Sequence, residues 1–538
     1  MNKRGACVIL YAGILFWLVA GALGKISPNV KLLKAEAAVA QYYVDSVDEG
    51  KLVEDAIRGM LTELDPHSQY STPEEAKELN EPLVGNFSGI GISYNMSSDT
   101  LYVLQTIAGG PSERVGILAG DRLIEVNDSS IAGMKMKNTE IARRLRGPKG
   151  STVKIKGLRY DNGKADTINF VITRADIPIY SVDAAYMVDD KTGYLRVNKF
   201  AAETHKEVVE AIKKLKKSGM TSLILDLTDN GGGYLSSATD LLGELLEPGK
   251  VTVYTEGRKS PRHDFISTPS EGEALFKDGR LVVMVNQYSA SASEITSGAL
   301  QDWDRGVIVG RRTYGKGLVQ RPIPFPDGSM IRLTVAHYYT PTGRDIQKPY
   351  RQGRQKEYAK DILDRFNHGE LMHEDSIKFI DSLRVNTLRT GRPIYGGGGI
   401  TPDVFVPLDT TENTKYFRDV QAKGLFNRFA IGYVDAHRKE LKKKYKSDDE
   451  FVKDFMVTDE MISHLREMAV KEGIEPNDEQ EARSMPLIKM IIKGLIGRDV
   501  FDNVTYFKVA NQHSSIFREA MRVINSDDYD KILTEGRK

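Results

Sequence analysis

The spacing of apolar positions divides the chain into stretches of different period. Between residues 32 and 58 the apolar positions Leu33, Ala37, Val39 and Tyr43, then Leu52 and Ala56, with Met60 beyond, recur at roughly helical spacing, and the turn-rich Leu64-Asp65-Pro66-His67-Ser68 ends the run. This predicts a helical N-terminal region over residues 25–84. From 85 to 175 short β-rich runs follow at 89–94, 101–104, 121–126, 152–155 and 168–172, interrupted by one helical stretch near 138–145. They predict a compact β module.

From Gly193 strand and helix alternate. Tyr194-Leu195-Arg196-Val197 precedes a stretch at 204–217 with Val208, Val209, Ile212 and Leu215 on one face and Gly219 as its stop, and Leu223-Ile224-Leu225-Asp226-Leu227 follows. The βαβ order continues through a helix at 237–246, the apolar Leu281-Val282-Val283-Met284-Val285, a helix at 291–301 and Val307-Ile308-Val309. The fold class is therefore α/β, with a parallel core over residues 176–410 that carries a polar insertion near 349–392. Residues 411–538 are charged, amphipathic and almost without strand signals, which predicts a helical C-terminal extension.

Composition narrows the function classes. A length of 538 residues gives a prior of about three to four domains. Lys+Arg number 75 against Asp+Glu 74, so no bulk charge draws the chain to nucleic acid, and no local basic patch argues for such a partner. Cys7 is the only cysteine, which excludes an intrachain disulfide, a Cys-based zinc site and a thiol nucleophile elsewhere in the chain. Lys3 and Arg4 precede an apolar run of 19 residues from Ala6 to Gly24. Residues 1–24 read as a signal peptide or a membrane anchor through residues 6–24, and both readings stay open. With the positive residues before the run, the remainder is expected in the periplasm or cell envelope.

Three small-residue turns carry the candidate chemistry. The apolar strand at 281–285 runs into Asn286-Gln287-Tyr288-Ser289-Ala290-Ser291-Ala292-Ser293-Glu294, which places a hydroxyl and free N–H groups beside a helix N-terminus. Ser291-x-x-Glu294 also fits a simple capping box. Gly315-Lys316-Gly317-Leu318-Val319-Gln320 sets a lone lysine between glycines before a β-like run; a buried lysine of lowered pKa can serve a serine as base. Gln320 lies four residues beyond Lys316, an even number, so in an extended chain both point to the same face and the amide can hold the amine. Asp226-Leu227-Thr228-Asp229-Asn230-Gly231-Gly232-Gly233 follows another apolar strand, and its glycines can present N–H groups to a carbonyl oxygen.

These runs, with Glu63-Leu64-Asp65-Pro66-His67-Ser68, Gly89-Ile90-Gly91-Ile92 and Gly399-Ile400-Thr401-Pro402-Asp403, occur in the order of the carboxy-terminal processing, or tail-specific, proteases, which the chain resembles from about residue 32 to 408. The resemblance implies a serine peptidase with an inserted PDZ domain at 85–175. It implies Ser291 as nucleophile, Lys316 as general base, Gln320 as the residue that orients Lys316, and an oxyanion hole from the backbone of Gly232 and Ala292. The PDZ reading gives Gly89, Ile90, Gly91 and Ile92 the task of holding a C-terminal carboxylate while the tail adds as a strand. Thr228 stands where the family often has arginine, which questions the support of the glycine loop. The implied substrates are unfolded or C-terminally exposed polypeptides, with no metal or other cofactor. The oligomeric state is not indicated.

Two further readings belong to other classes. A PDZ-bearing peptide-binding protein that has lost hydrolysis would share most of these motifs. Gly310 to Lys316 has the spacing of a phosphate-binding loop, but Gly317 offers no hydroxyl for magnesium. His368-Gly369-Glu370-Leu371-Met372-His373-Glu374 lacks the spacing of a helical zinc motif. Arg146 is the residue expected to link the PDZ-like module to the protease body.

Overall fold

The computed structural model describes residues 27–535 other than 98, 108, 162 and 163. The apolar run at 6–24, with its signal-or-anchor reading, lies outside the described residues. Among those described, no helix is long and apolar enough to cross a membrane.

A six-stranded sheet forms the centre, in the order Val182–Met187, Thr192–Val197, Ser222–Asp226, Arg280–Val285, Val307–Gly310, Val404–Phe405; the first pairing is antiparallel and the rest are parallel. Its strands are apolar on both sides because both sides are covered. Leu223, Leu225, Leu281, Val283 and Ile308 pack in one cluster with residues of the helices Thr204–Lys217, Leu235–Gly243 and Ala292–Asp302. Ile224, Val282, Met284, Val307 and Val309 lie on the other face, covered by Ile516, Phe517, Ala520, Val523, Ile524 and Tyr529. Those residues belong to Ser515–Ile524 and Asp528–Glu535, so the end of the helical extension is the third layer of the protease core. The rest of the extension packs around its own apolar cluster, which includes Phe417, Phe429, Phe451 and Ile492.

A second, antiparallel sheet orders Gln69–Ser71, Met330–Tyr339, Val251–Gly257 and Ser260–Ile266, with Leu318–Pro324 also paired to Met330–Tyr339. It draws the Asp65-Pro66-His67-Ser68 turn towards the strand that follows Lys316. The stretch read as a polar insertion is built into this body. Arg365, buried on Gln355–Asn367, donates to the carbonyls of Thr313 at 3.0 Å and Arg312 at 2.6 Å and so braces the segment leading to Lys316.

The β-rich module has strand order Ile92–Ser97, Thr100–Thr106, Arg122–Val126, Thr152–Asp161, Lys164–Thr173, antiparallel throughout. Ile141 and Leu145 of the helix Asn138–Leu145 close its core with Leu101, Leu123 and Val153. Its two ends leave side by side: Asn86–Gly89 pairs with Ala175–Pro178, and Ile179 N–H donates to the Gly85 carbonyl at 2.8 Å. This is the geometry of an insertion.

Candidate active site

Ser291 caps the helix Ala292–Asp302 with φ 56° and ψ −111°. A serine at positive φ costs of order 1–3 kcal/mol and persists only where surrounding contacts impose it. Here Glu294, fully buried, accepts the Ser291 N–H on Oε2 at 2.8 Å. The flanking serines are committed elsewhere: Ser289 Oγ donates to the Leu227 carbonyl at 2.7 Å and Ser293 Oγ to the Asn230 carbonyl at 2.8 Å, and both residues are inaccessible. Ser291 alone of the three is part exposed.

The turn holding Lys316 meets the same carboxylate. Lys316 N–H donates to Glu294 Oε2 at 2.9 Å, Gly315 N–H to Oε1 at 2.6 Å and Thr313 Oγ to Oε1 at 2.5 Å. The glycines beside the lysine are required by close approach. A Cβ at Gly315 would fall 2.9 Å from Lys348 Cβ, and one at Gly317 would fall 2.8 Å from the Gln347 nitrogen. The Tyr338 hydroxyl donates to the Lys316 carbonyl and lies against the Ser291 side chain. Burial pushes the Lys316 amine below the ordinary lysine range and Arg332 adds to this, while Glu294 and Asp65 oppose it. His67, half-buried near this amine and paired with Tyr358 at 2.9 Å, is pushed down to about 4, by burial first and then by Lys316, and is neutral at neutral pH.

Two geometric expectations differ. Gln320 does not hold the Lys316 amine: its Nε2 donates to the Leu318 carbonyl at 3.0 Å and to Thr334 Oγ at 3.3 Å. Lys316 lies in the turn before the strand Leu318–Pro324, where strand alternation does not reach it, and the register shift beside Gln320 skips Val335 on the partner strand. Gly232 is pressed against the serine, since a Cβ there would fall 2.8 Å from Ser291 Cβ and 3.0 Å from the Ala292 nitrogen. Its own N–H, however, donates to Asn230 Oδ1 at 2.8 Å, closing a local Asx turn. Ala292 N–H has no partner among the described residues.

The glycine loop is supported without the family's arginine. Arg196, from the adjacent strand Thr192–Val197, donates to Asp226 Oδ2 at 2.6 Å, Thr228 Oγ at 2.9 Å and the Thr228 carbonyl at 3.1 Å. No short-range pattern signals this, nor the role of Asn230, whose Nδ2 donates to the Val197 carbonyl at 2.8 Å while its own carbonyl accepts from Ala290 and Ser293. The backbone N–H groups of Gly315 and Lys316 end on Glu294, so this loop offers no phosphate cradle.

The four residues expected to hold a C-terminal tail lie in the inserted module. Gly89 ends the strand paired with Ala175, Gly91 turns the chain at φ +77°, and Ile92 begins the strand Ile92–Ser97, which forms one edge of the module's sheet. The N–H groups of Ile90 and Gly91 have no partner among the described residues. Arg146 reaches the N-terminal helix Pro73–Val84, which is joined to the second sheet by the bond from Arg332 to Asn80 Oδ1 at 3.0 Å. It pairs there with Glu81 and stacks on Phe87 at 4.5 Å.

Residues 191–359 match the model of peptidase family S41, 102–159 that of the PDZ domain, 24–75 that of the activating protease CtpB N-terminal domain, and 416–502 a family of unknown function. The carboxy-terminal-processing protease of Bartonella bacilliformis is 36% identical over 313 residues, spanning 57% of this chain and 70% of the relative. The chain belongs to the carboxy-terminal processing protease family. Carboxy-terminal processing protease CtpB of Bacillus subtilis is 32% identical over 351 residues, 65% of this chain and 71% of the relative. Among solved structures, the photosystem II D1 C-terminal processing protease aligns with 59% of this chain and 89% of its own at 30% identity and a TM-score of 0.33. This carboxy-terminal processing protease is a serine-type peptidase that combines an α/β protease body, a PDZ domain and a helical C-terminal region.

Proposed function

We propose that the protein is an exported endopeptidase of the cell envelope that selects polypeptides by their C-terminal tails and cuts them with a Ser291–Lys316 dyad. The observation that carries this reading is that the N–H groups of Ser291 and Lys316 end on one carboxylate oxygen, Glu294 Oε2, which fixes the two turns beside each other. The neutral Lys316 amine takes the Ser291 hydroxyl proton as Oγ attacks the scissile carbonyl, and returns it to the departing amine. The Ala292 N–H, at a helix N-terminus, faces the developing oxyanion, and Gly232 keeps the space beside it clear. Water then releases the acyl group from Ser291.

Tail selection is supported by Ile92–Ser97 as an edge strand and by the N–H groups of Ile90 and Gly91, which have no partner among the described residues; together they can accept an added strand and its terminal carboxylate. Export is supported by Lys3 and Arg4 ahead of the apolar run. Casein digestion tests the dyad. Ser291→Ala and Lys316→Ala each abolish it, and the double variant is no worse than either, because nucleophile and base act as one unit. Retained digestion by Ser291→Ala overturns the reading, and intact tail binding with no digestion by the wild type favours a binding protein.

A further inference from the structure

We infer that Glu294 is a positioning residue of the proteolytic reaction, holding the Ser291 turn and the Lys316 turn in register through one buried carboxylate. The inference rests on the assignment of Ser291 and Lys316 to the dyad. A helix cap needs the Ser291 N–H alone; the other three donors, Thr313 Oγ, Gly315 N–H and Lys316 N–H, come from the segment that carries the lysine. Thr313 Oγ accepts the Ile400 N–H at 2.6 Å, so its own proton is the one directed at Glu294. All four partners of the carboxylate are therefore donors, two on each oxygen. An ionised carboxylate satisfies such a set, whereas a protonated acid or an amide would turn a hydrogen against it.

Two consequences follow, one of position and one of charge. The Ser291 backbone sits at a positive φ that its own chemistry disfavours, and the bond from its N–H to Glu294 helps hold it there. Loss of this bond lets the nucleophile drift from the amine, and a drift of about 1 Å costs on the order of 10²-fold in turnover. The charge acts on Lys316 as well. The groups that face that amine are Arg332 on Met330–Tyr339, Asp65 and His67 on the turn before Gln69–Ser71, and Glu294. Of these, Glu294 and Asp65 favour the protonated amine and Arg332 disfavours it.

Position and charge separate in two substitutions of the full chain, assayed on a short unstructured peptide across pH. Glu294→Gln lowers kcat on the order of 10²-fold with KM retained. Its kcat/KM also rises at lower pH than in the wild type, because the anion that favoured the Lys316 ammonium has gone. Glu294→Asp keeps the charge but cannot span both turns, so kcat falls while the pH of the rise stays in place. Wild-type kcat in Glu294→Gln, or a lowered kcat with the rise unmoved, overturns the inference. If Glu294→Gln does not fold, Glu294→Asp decides, and wild-type kcat there overturns it. Hydrolysis retained by Ser291→Ala would instead remove the dyad reading, an outcome separate from either of these.

Discussion

Arg122, on a strand of the PDZ domain, forms an ion pair with Asp435 on the C-terminal helix Leu425–Lys444 at 3.0 Å, with both side chains largely withdrawn from solvent. The guanidinium is also held between Tyr102 at 4.7 Å and Tyr160 at 3.8 Å. The helical region, whose residues 416–502 match a family of unknown function, thus holds the PDZ domain from the side opposite in sequence to the Arg146–Glu81 contact. If this docking restrains the domain over the cleft, Asp435→Asn raises hydrolysis of a short peptide in the absence of any tail, and a non-cleavable C-terminal peptide stimulates the variant less than the wild type. Equal rates in wild type and variant, with no stimulation of either, would leave simple tethering as the link between binding and cutting.

Gly232 cannot be replaced even by alanine. Its φ of +98° disfavours any L side chain, and the added methyl would press on Ser291 Cβ and the Ala292 nitrogen, where the proposed mechanism seats the substrate carbonyl. Gly232→Ala is expected to lower kcat/KM on the order of 10²-fold or more. Gly231→Ala, whose Cβ meets nothing within 4 Å, keeps most of the activity. Comparable loss in both variants would contradict the close-approach argument.

With Lys316 as the proposed base, the pH at which activity rises is expected to report its proton. Burial and then Arg332 lower its pKa, so the rise falls below the ordinary lysine range. Arg332→Met removes a like charge, favours the ammonium and moves the rise to higher pH. This sign is opposite to that expected for Glu294→Gln. An unmoved pH profile in Arg332→Met would mean that the titrating group is not Lys316.

The C-terminal helices are part of the protease body. Phe517 is buried against Tyr194, with ring centroids 5.7 Å apart, on the second face of the central sheet. Phe517→Ala is expected to cost about 3–5 kcal/mol of stability, read as a lowered midpoint in denaturant unfolding. A midpoint unchanged from wild type would show that the extension is not packed there.

Much of this site could be read from short stretches of sequence, and the exceptions share one cause. Ser291 stands out because it lies in a small-residue turn after an apolar strand, and Lys316 because it stands between glycines before a β-like run, patterns contained within a few residues. Counting alternate positions places Gln320 beside Lys316 only if the strand reaches back to the lysine; it begins at Leu318, where the pairing with Met330–Tyr339 begins, and the count shows nothing of that pairing. Arg196 replaces an arginine absent at position 228 from a strand some thirty residues earlier, so a local motif shows only the gap. The hairpin Val251–Gly257 with Ser260–Ile266 escaped because its second strand is mostly exposed and lacks the apolar alternation that marks a half-buried strand. The helical extension was recognised as helical, but which apolar stripe covers the sheet is a property of the assembled fold.

The dyad is tested most directly by covalent labelling. A fluorophosphonate that reacts with activated serines is applied to the full chain, and the modified residue is located by mass spectrometry after digestion. The label is expected on Ser291 alone, with its rate of attachment falling sharply in Lys316→Ala, because Ser289 and Ser293 are buried and their hydroxyls already donate to backbone carbonyls. A label on Ser289 or Ser293, or an undiminished rate on Ser291 without Lys316, would contradict the account.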